Sequence, residues 1–165
     1  KYTTIGDQVW MAQNLNYASE YSMENDSLKD CEECGLWYAI GLSLPDHSFI
    51  DTLCPAGWKI PNVEDWEKLI STVGGKANAL KVLLSEDWDP SYQGTNECGF
   101  NAIQAGSISS RSSLFWKNNA EWATQYVTRP DFIEGVIFCG GYTTPRVSIF
   151  EIGWSTYVSI RCIKD

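Results

Sequence analysis

Histidine is nearly absent from this chain: one residue, His47, in 165. That scarcity removes most nucleophile and base pairings, because a Ser-His-Asp or Cys-His group would have to use His47. His47 lies in a polar loop over residues 45–52 with no motif around it, and it reads as solvated. The nucleophile elbow G-x-S-x-G is missing, and so is the phosphate-cradling G-x-x-x-x-G-K. No apolar run approaches the roughly 20 residues needed to cross a bilayer, so no membrane insertion is expected of this segment. Blocks of like charge never exceed a few residues, which argues for a solvated surface rather than an interaction tail. No leader precedes the ordered-looking opening at Lys1, as expected of a mature or trimmed product whose export signal or anchor has been removed. Internal repeats, heptads and low-complexity tracts are also missing.

What is present is acidic, aromatic and rich in cysteine. A length of 165 residues fits one domain, 1–165, with enough chain to bury a core. Apolar residues make up 44%, and eight Trp, eight Tyr and six Phe supply large rigid side chains for it, which excludes disorder as the default. The formal charge of −9 repels phosphate backbones and anionic lipid, so nucleic acid is excluded as a partner.

Six cysteines are an even number: Cys31, Cys34, Cys54, Cys98, Cys139 and Cys162. Only one close pair exists among them, too few for a zinc set, so disulfides in an oxidising compartment are the simpler reading. Cys31-Glu32-Glu33-Cys34 has the redox spacing, but the two glutamates and Asp30 raise rather than lower a thiol pKa. Either a local structural bridge or separate pairings with distant cysteines satisfies the residues, and six cysteines allow 15 connectivities.

The clearest element is a helix opening at Asn62. Asn62 is a good N-cap, Asp65 can reach back to it, and Glu64 and Asp65 suit the positive end of the dipole. Val63, Trp66, Leu69, Ile70 and Val73 then recur at helical spacing, and Gly74-Gly75 ends the run. A second short helix is expected over 76–84. Strands are expected at 2–10 (broken by a turn at Gly6-Asp7), 99–103, 114–116, 122–127, 134–138, 148–152 and 157–163. Residues 35–42 form a short helix or strand carrying Trp37 and Tyr38 inward. Residues 18–30 and 87–97 read as surface loops. Early helices followed by strands predict an α+β fold with antiparallel sheets.

Two kinds of site are candidates. Asp87, Asp89, Asn96 and Glu97 supply hard oxygen donors of the type a structural Ca2+ takes, without the EF-hand pattern. An ordinary Asp/Asn turn region is the plainer reading. Trp116, Tyr126 and Tyr142 lie near polar or turn segments and are the aromatics expected outside, where with Asn118 they would contact a ligand. Carboxylate pairs such as Glu64/Asp65 and Asp87/Asp89 are accounted for by a helix N-terminus and solvated acids, so no active site is expected.

Three stretches resemble a known family. Ile5-Gly6-Asp7-Gln8-Val9-Trp10-Met11-Ala12-Gln13-Asn14-Leu15-Asn16-Tyr17 is similar to the IGDQVWMAENLNY opening of the Fibrobacter succinogenes major paralogous domain. Cys54-Pro55-Ala56-Gly57-Trp58-Lys59-Ile60-Pro61 through Trp66 resembles its CPSGWHLPSDAEW, and Ser159-Ile160-Arg161-Cys162-Ile163-Lys164-Asp165 resembles its SVRCVRD. Gly99-Phe100-Asn101-Ala102 and Trp122-Ala123-Thr124 fall where the family has GFSA and WSAT. The resemblance implies a C-type-lectin-like fold related to the formylglycine-generating enzymes: two helices flanking antiparallel sheets, long loops on one side, disulfide staples. It also implies a bacterial, exported protein of a paralogous family, often a lipoprotein or surface protein. It implies bridges too. Cys34 takes over from a family cysteine near Met23 and pairs with Cys31; Cys54 pairs with Cys162; Cys98 and Cys139 are left as a third pair. No sugar site transfers, because Arg129-Pro130-Asp131 and Trp116-Lys117-Asn118 match the lectin tripeptides poorly, and the paired catalytic cysteines of the enzymes are not recognisable. The functional expectation is a non-enzymatic, secreted or cell-surface binding or adhesion domain recognising a glycan or surface protein through its loops. A structural subunit of an envelope assembly is the alternative, and a carbohydrate-active enzyme a distant third.

Overall fold

A computed structural model describes residues 1–24, 30–40, 52–88, 94–109, 114–115, 119–125, 133–139, 146–152 and 156–165. Among them are two α-helices, three small antiparallel sheets and two disulfides. The class is α+β, as expected.

The chain opens with β1 (Tyr2–Ile5) and β2 (Gln8–Met11), paired through the turn at Gly6-Asp7. Helix α1 (Val63–Thr72) begins at a complete capping box: the Asn62 side chain accepts from Asp65 N at 2.8 Å, and Asn62 N donates to Asp65 Oδ2 at 3.1 Å. Its buried face is Trp66, Leu69 and Ile70. At its end Gly74 adopts φ 90°, a conformation costly for other residues. Gly74 N then donates to Ser71 O and Gly75 N to Ile70 O, the two bonds of a Schellman stop. Helix α2 (Lys76–Val82) follows at once.

Three sheets accompany these helices. The first has the order β1-β2-β12-β5, with β5 (Trp58–Lys59) and β12 (Ile163–Lys164), so both chain ends lie in one sheet. The second is β10-β9-β8, from β8 (Asn119–Ala123), β9 (Ile133–Cys139) and β10 (Arg146–Ile152). The third is β3-β4-β11-β6-β7, from β3 (Ser22–Met23), β4 (Trp37–Ile40), β11 (Thr156–Val158), β6 (Ile108–Ser109) and β7 (Leu114–Phe115). Trp37 and Tyr38 point inward from β4, as expected.

One core lies between the helices and the first two sheets. At its centre Trp66 stacks on Trp122 with ring centroids 5.3 Å apart, and Trp10, Phe100 and Phe138 meet these rings at tilted or edge-on angles. Aromatic pairs favour those offset and edge-on geometries. A second core gathers Leu15, Tyr38, Leu53, Ile60, Val158 and Ile160 around the bridge between Cys54 and Cys162.

The structure departs from expectation in three places. Residues 99–103 are not a strand. Asn96 and Asn101 take φ 48° and 55°, Gly99 takes 65°, and these left-handed residues break the extended path, leaving only a bridge from Ala102 to Leu84. The single strand expected at 157–163 divides into β11 and β12 in different sheets, because residues 159–162 cross between them. The third expected bridge is not made: Cys98 carries a free thiol, packed against the first core, while Cys139 sits at the end of β9 opposite Asn119 and Arg146.

Candidate functional site

The segment crossing between sheets carries Arg161, which is fully buried. Its guanidinium lies 4.5 Å above the Phe100 ring and 5.1 Å from the Trp122 ring. Asn14 Oδ1 accepts from Arg161 Nε at 3.1 Å and from Nη2 at 2.7 Å, and it also accepts from Trp122 Nε1 at 2.9 Å. The carbonyls of Phe100 and Asn101 take the remaining bonds. The left-handed turns at Asn96 and Asn101 are what aim those carbonyls at the cation. Burial pushes the Arg161 pKa down to about 9, and the Glu33 carboxylate partly offsets this. Glu33 accepts from Asn101 Nδ2 at 2.8 Å and pairs with Lys1. This cluster is internal and ties strand to loop. It offers no opening to a ligand.

An accessible surface lies on the outer face of the first sheet. Alternation sends Ile5, Gln8, Trp10 and Ile163 inward and turns Tyr2, Thr4, Val9, Met11, Trp58 and Lys164 outward. Tyr2 is 71% exposed, the most exposed large apolar side chain among the described residues. Its ring centroid lies 6.4 Å from that of Trp58 at 57°. Lys164 is directly opposite Trp58 in the register and exposed. Met11 and Trp58 pack on their buried sides against the second core, so this face is anchored to the bridge between Cys54 and Cys162. Tyr2 and Trp58 escaped the sequence reading. Trp58 stands in a two-residue strand, too short to show which face it is on.

Beside the free edge of β1 an open groove of about 590 Å³ runs past Thr4, Thr72, Asn78, Glu97 and Cys98. The Cys98 thiol in its wall is pushed up by burial and then by Glu97, which keeps it protonated and a poor nucleophile.

The residues expected to bind ligand, Trp116, Asn118, Tyr126 and Tyr142, lie outside the described residues, as do His47 and Asp89. Of the other Ca2+ candidates, Asp87 and Glu97 are exposed, whereas Asn96 Oδ1 is used inside the protein, accepting from Asn101 N at 2.8 Å. Among the described residues no group of three His, Cys, Asp or Glu comes together to hold a metal. The expected bridges from Cys31 to Cys34 and from Cys54 to Cys162 are both formed, and they fit an oxidising, extracytoplasmic compartment. Among the described residues no helix is long and apolar enough to cross a membrane.

The Fibrobacter succinogenes major domain matches residues 47–164, more than two thirds of the chain. The chain belongs to that family. The matched span runs from before Cys54 and the capping box to Lys164 in the last strand, so it takes in both helices, the Arg161 segment and both cysteines of the long bridge. Strands β1 and β2, with Tyr2 of the outer aromatic pair, lie outside the matched residues, as does Asn14, and the two strands complete the sheet that holds β5 and β12. No curated protein and no solved structure matches the chain.

Proposed function

We propose that this member of the Fibrobacter succinogenes major domain family is a non-catalytic binding or adhesion module displayed at the cell surface, where it recognises a glycan or a protein partner. In this reading the architecture is a variant of the C-type-lectin-like arrangement. Support for that comes from two helices set against antiparallel sheets, a first and last strand in one sheet, and a bridge joining the helix entry to the last strand.

The observation that carries the proposal is the pairing of Tyr2 with Trp58 on the outer face of a stapled sheet. A ring left 71% exposed forgoes its own burial unless a partner covers it. Two rings held by a rigid backbone present area at little entropic cost, and Lys164 beside them supplies a donor. The apolar C–H face of a sugar ring fits such a pair, as does an aromatic anchor from a protein.

The test is a glycan array and a cell-envelope pull-down with wild type, Tyr2→Ala and Trp58→Ala. A bound ligand should lose about thirtyfold in affinity with either variant, the effect of a contact worth about 2 kcal/mol. A ligand bound equally well by the double variant would remove this face from the reading. Turnover of a polysaccharide would replace it with an enzyme. A structural subunit is the second reading, favoured by exposed Tyr17 (58%) and by Met23 in the edge strand β3, where a neighbouring protein could pack. Stoichiometric co-purification in an envelope complex distinguishes it.

A further inference from the structure

Among the described residues, Glu121 is the only acid that is buried, with 5% of its surface exposed. It occupies the middle of β8, the outer strand of the three-stranded sheet. Ala120 and Trp122 on either side of it enter the first core, so alternation turns Glu121 to the face that carries Ala123 and the second core. A strap, residues 105–107, lies along the open edge of β8. Gly106 N donates to Asn119 O at 2.9 Å, and Ser107 Oγ donates to Glu121 Oε2 at 2.5 Å. Ala105 O accepts from Trp37 Nε1 at 3.2 Å, which hangs the strap on β4, and the chain then runs directly into β6. The Glu121 carboxyl group is therefore the side-chain tie in the set of bonds that joins the strap to β8.

Among the described residues, the groups around it provide no compensating charge. Ile137 lies opposite on β9 and Ser148 beyond it on β10; the strap contributes Gly106 and Ser107. Strand β11, packed against β8, carries Tyr157, and β4 carries Tyr38, whose phenol burial pushes up to about 12. Arg146 stands on the same face one step further along, two strands away and exposed. Burial accordingly pushes the Glu121 carboxyl above its ordinary value, and the Ser107 bond offsets this only in part.

We propose that the contact of Ser107 with Glu121 is a pH-operated latch between the two sheets, closed while the acid holds its proton and opened when the proton leaves to solvent. A carboxylate kept in place would be charged, desolvated and supported by one hydroxyl. Lifting the strap gives up only a few hydrogen bonds and admits water, so local opening is the less costly response.

Amide hydrogen exchange on the full chain between about pH 4 and pH 9, corrected for intrinsic rates, tests this. Protection at residues 106–109, relative to 136–138, should fall by about tenfold per pH unit once Glu121 titrates. Glu121→Gln, a neutral isostere, should hold that protection constant with pH. Ser107→Ala should leave the strap weakly protected throughout, while the carbon-13 carboxyl resonance of Glu121 still titrates high. Identical pH profiles for wild type and Glu121→Gln would overturn the proposal, as would a wild-type Glu121 resonance titrating in the ordinary carboxylate range.

Discussion

Arg161 lies with its charge between two aromatic rings and, among the described residues, no carboxylate in direct contact. Such a cation is tolerated because each of its three nitrogens donates to Asn14 or to one of two carbonyls, and because aromatic faces are electronegative. Asn14 is the more exacting residue of the two. Its oxygen takes three bonds, and its Nδ2 donates to Cys34 O and Ser159 Oγ. Asn14→Leu should therefore cost about 3–5 kcal/mol in urea unfolding, the usual effect of breaking a buried charged network from one side. In an Arg161→Met background the same substitution should cost clearly less, since the stranded cation is gone. Equal costs in both backgrounds would mean that the two residues do not act through each other. Little of this could be read from the residues. Arg161 stood inside a recognisable closing motif, but nothing in its neighbours distinguishes a buried arginine from an exposed one.

Helix α1 is the element most fully written in local sequence. Its cap, apolar stripe and glycine stop all act within a few residues, so tertiary context had little to change. Asn62→Ala removes one half of the capping box and should cost about 1 kcal/mol, measured by thermal unfolding. The strands were less legible. β3, β5, β6 and β12 have two residues each, too few for alternation to declare itself, and they exist because neighbours supply the bonds. Residues 99–103 read as a strand on composition, yet Phe100 is held at the aromatic centre while its carbonyl serves Arg161. That demand overrides a weak strand preference. Gly94 shows a similar constraint: a Cβ there would lie 2.2 Å from Leu84 O, so the returning loop seats tightly on the end of α2 only as glycine.

For the molecule as a whole, the two bridges differ in consequence. The bridge from Cys54 to Cys162 closes a loop of sequence separation 108, and the one from Cys31 to Cys34 a separation of 3. By loop entropy the first should contribute about 5 kcal/mol and the second about 2 kcal/mol. Replacing Cys54 and Cys162 by Ser should thus lower the unfolding temperature much further than replacing Cys31 and Cys34. Acidity acts on the whole fold in two opposed ways. Glu33 is held below its ordinary value by the Lys1 hydrogen bond first, with Asn101 and Arg161 adding to it. Its folded pKa is depressed, so its contribution is present above the ordinary carboxylate range and lost as pH falls through the folded value. Glu121 is raised, so its contribution is present at low pH and lost as pH rises. Glu33→Gln should flatten the fall of the unfolding temperature on acidification, while Glu121→Gln should flatten its fall on the alkaline side.

The residues alone determined the class, the family, the first helix, the inward turn of Trp37 and Tyr38, and the two bridges that the family resemblance implied. These follow from short-range patterns or from motifs that stay together in the chain. Tertiary structure decided what long-range pairing controls. It left Cys98 unbridged, set Asn96 Oδ1 to accept from Asn101 N, and made an arginine part of the core. It also brought Tyr2 beside Trp58 across 56 positions and seated Ser107 on Glu121. The physical reason is the same in each case: whether a polar or aromatic side chain is buried, paired or free depends on which distant backbone arrives next to it.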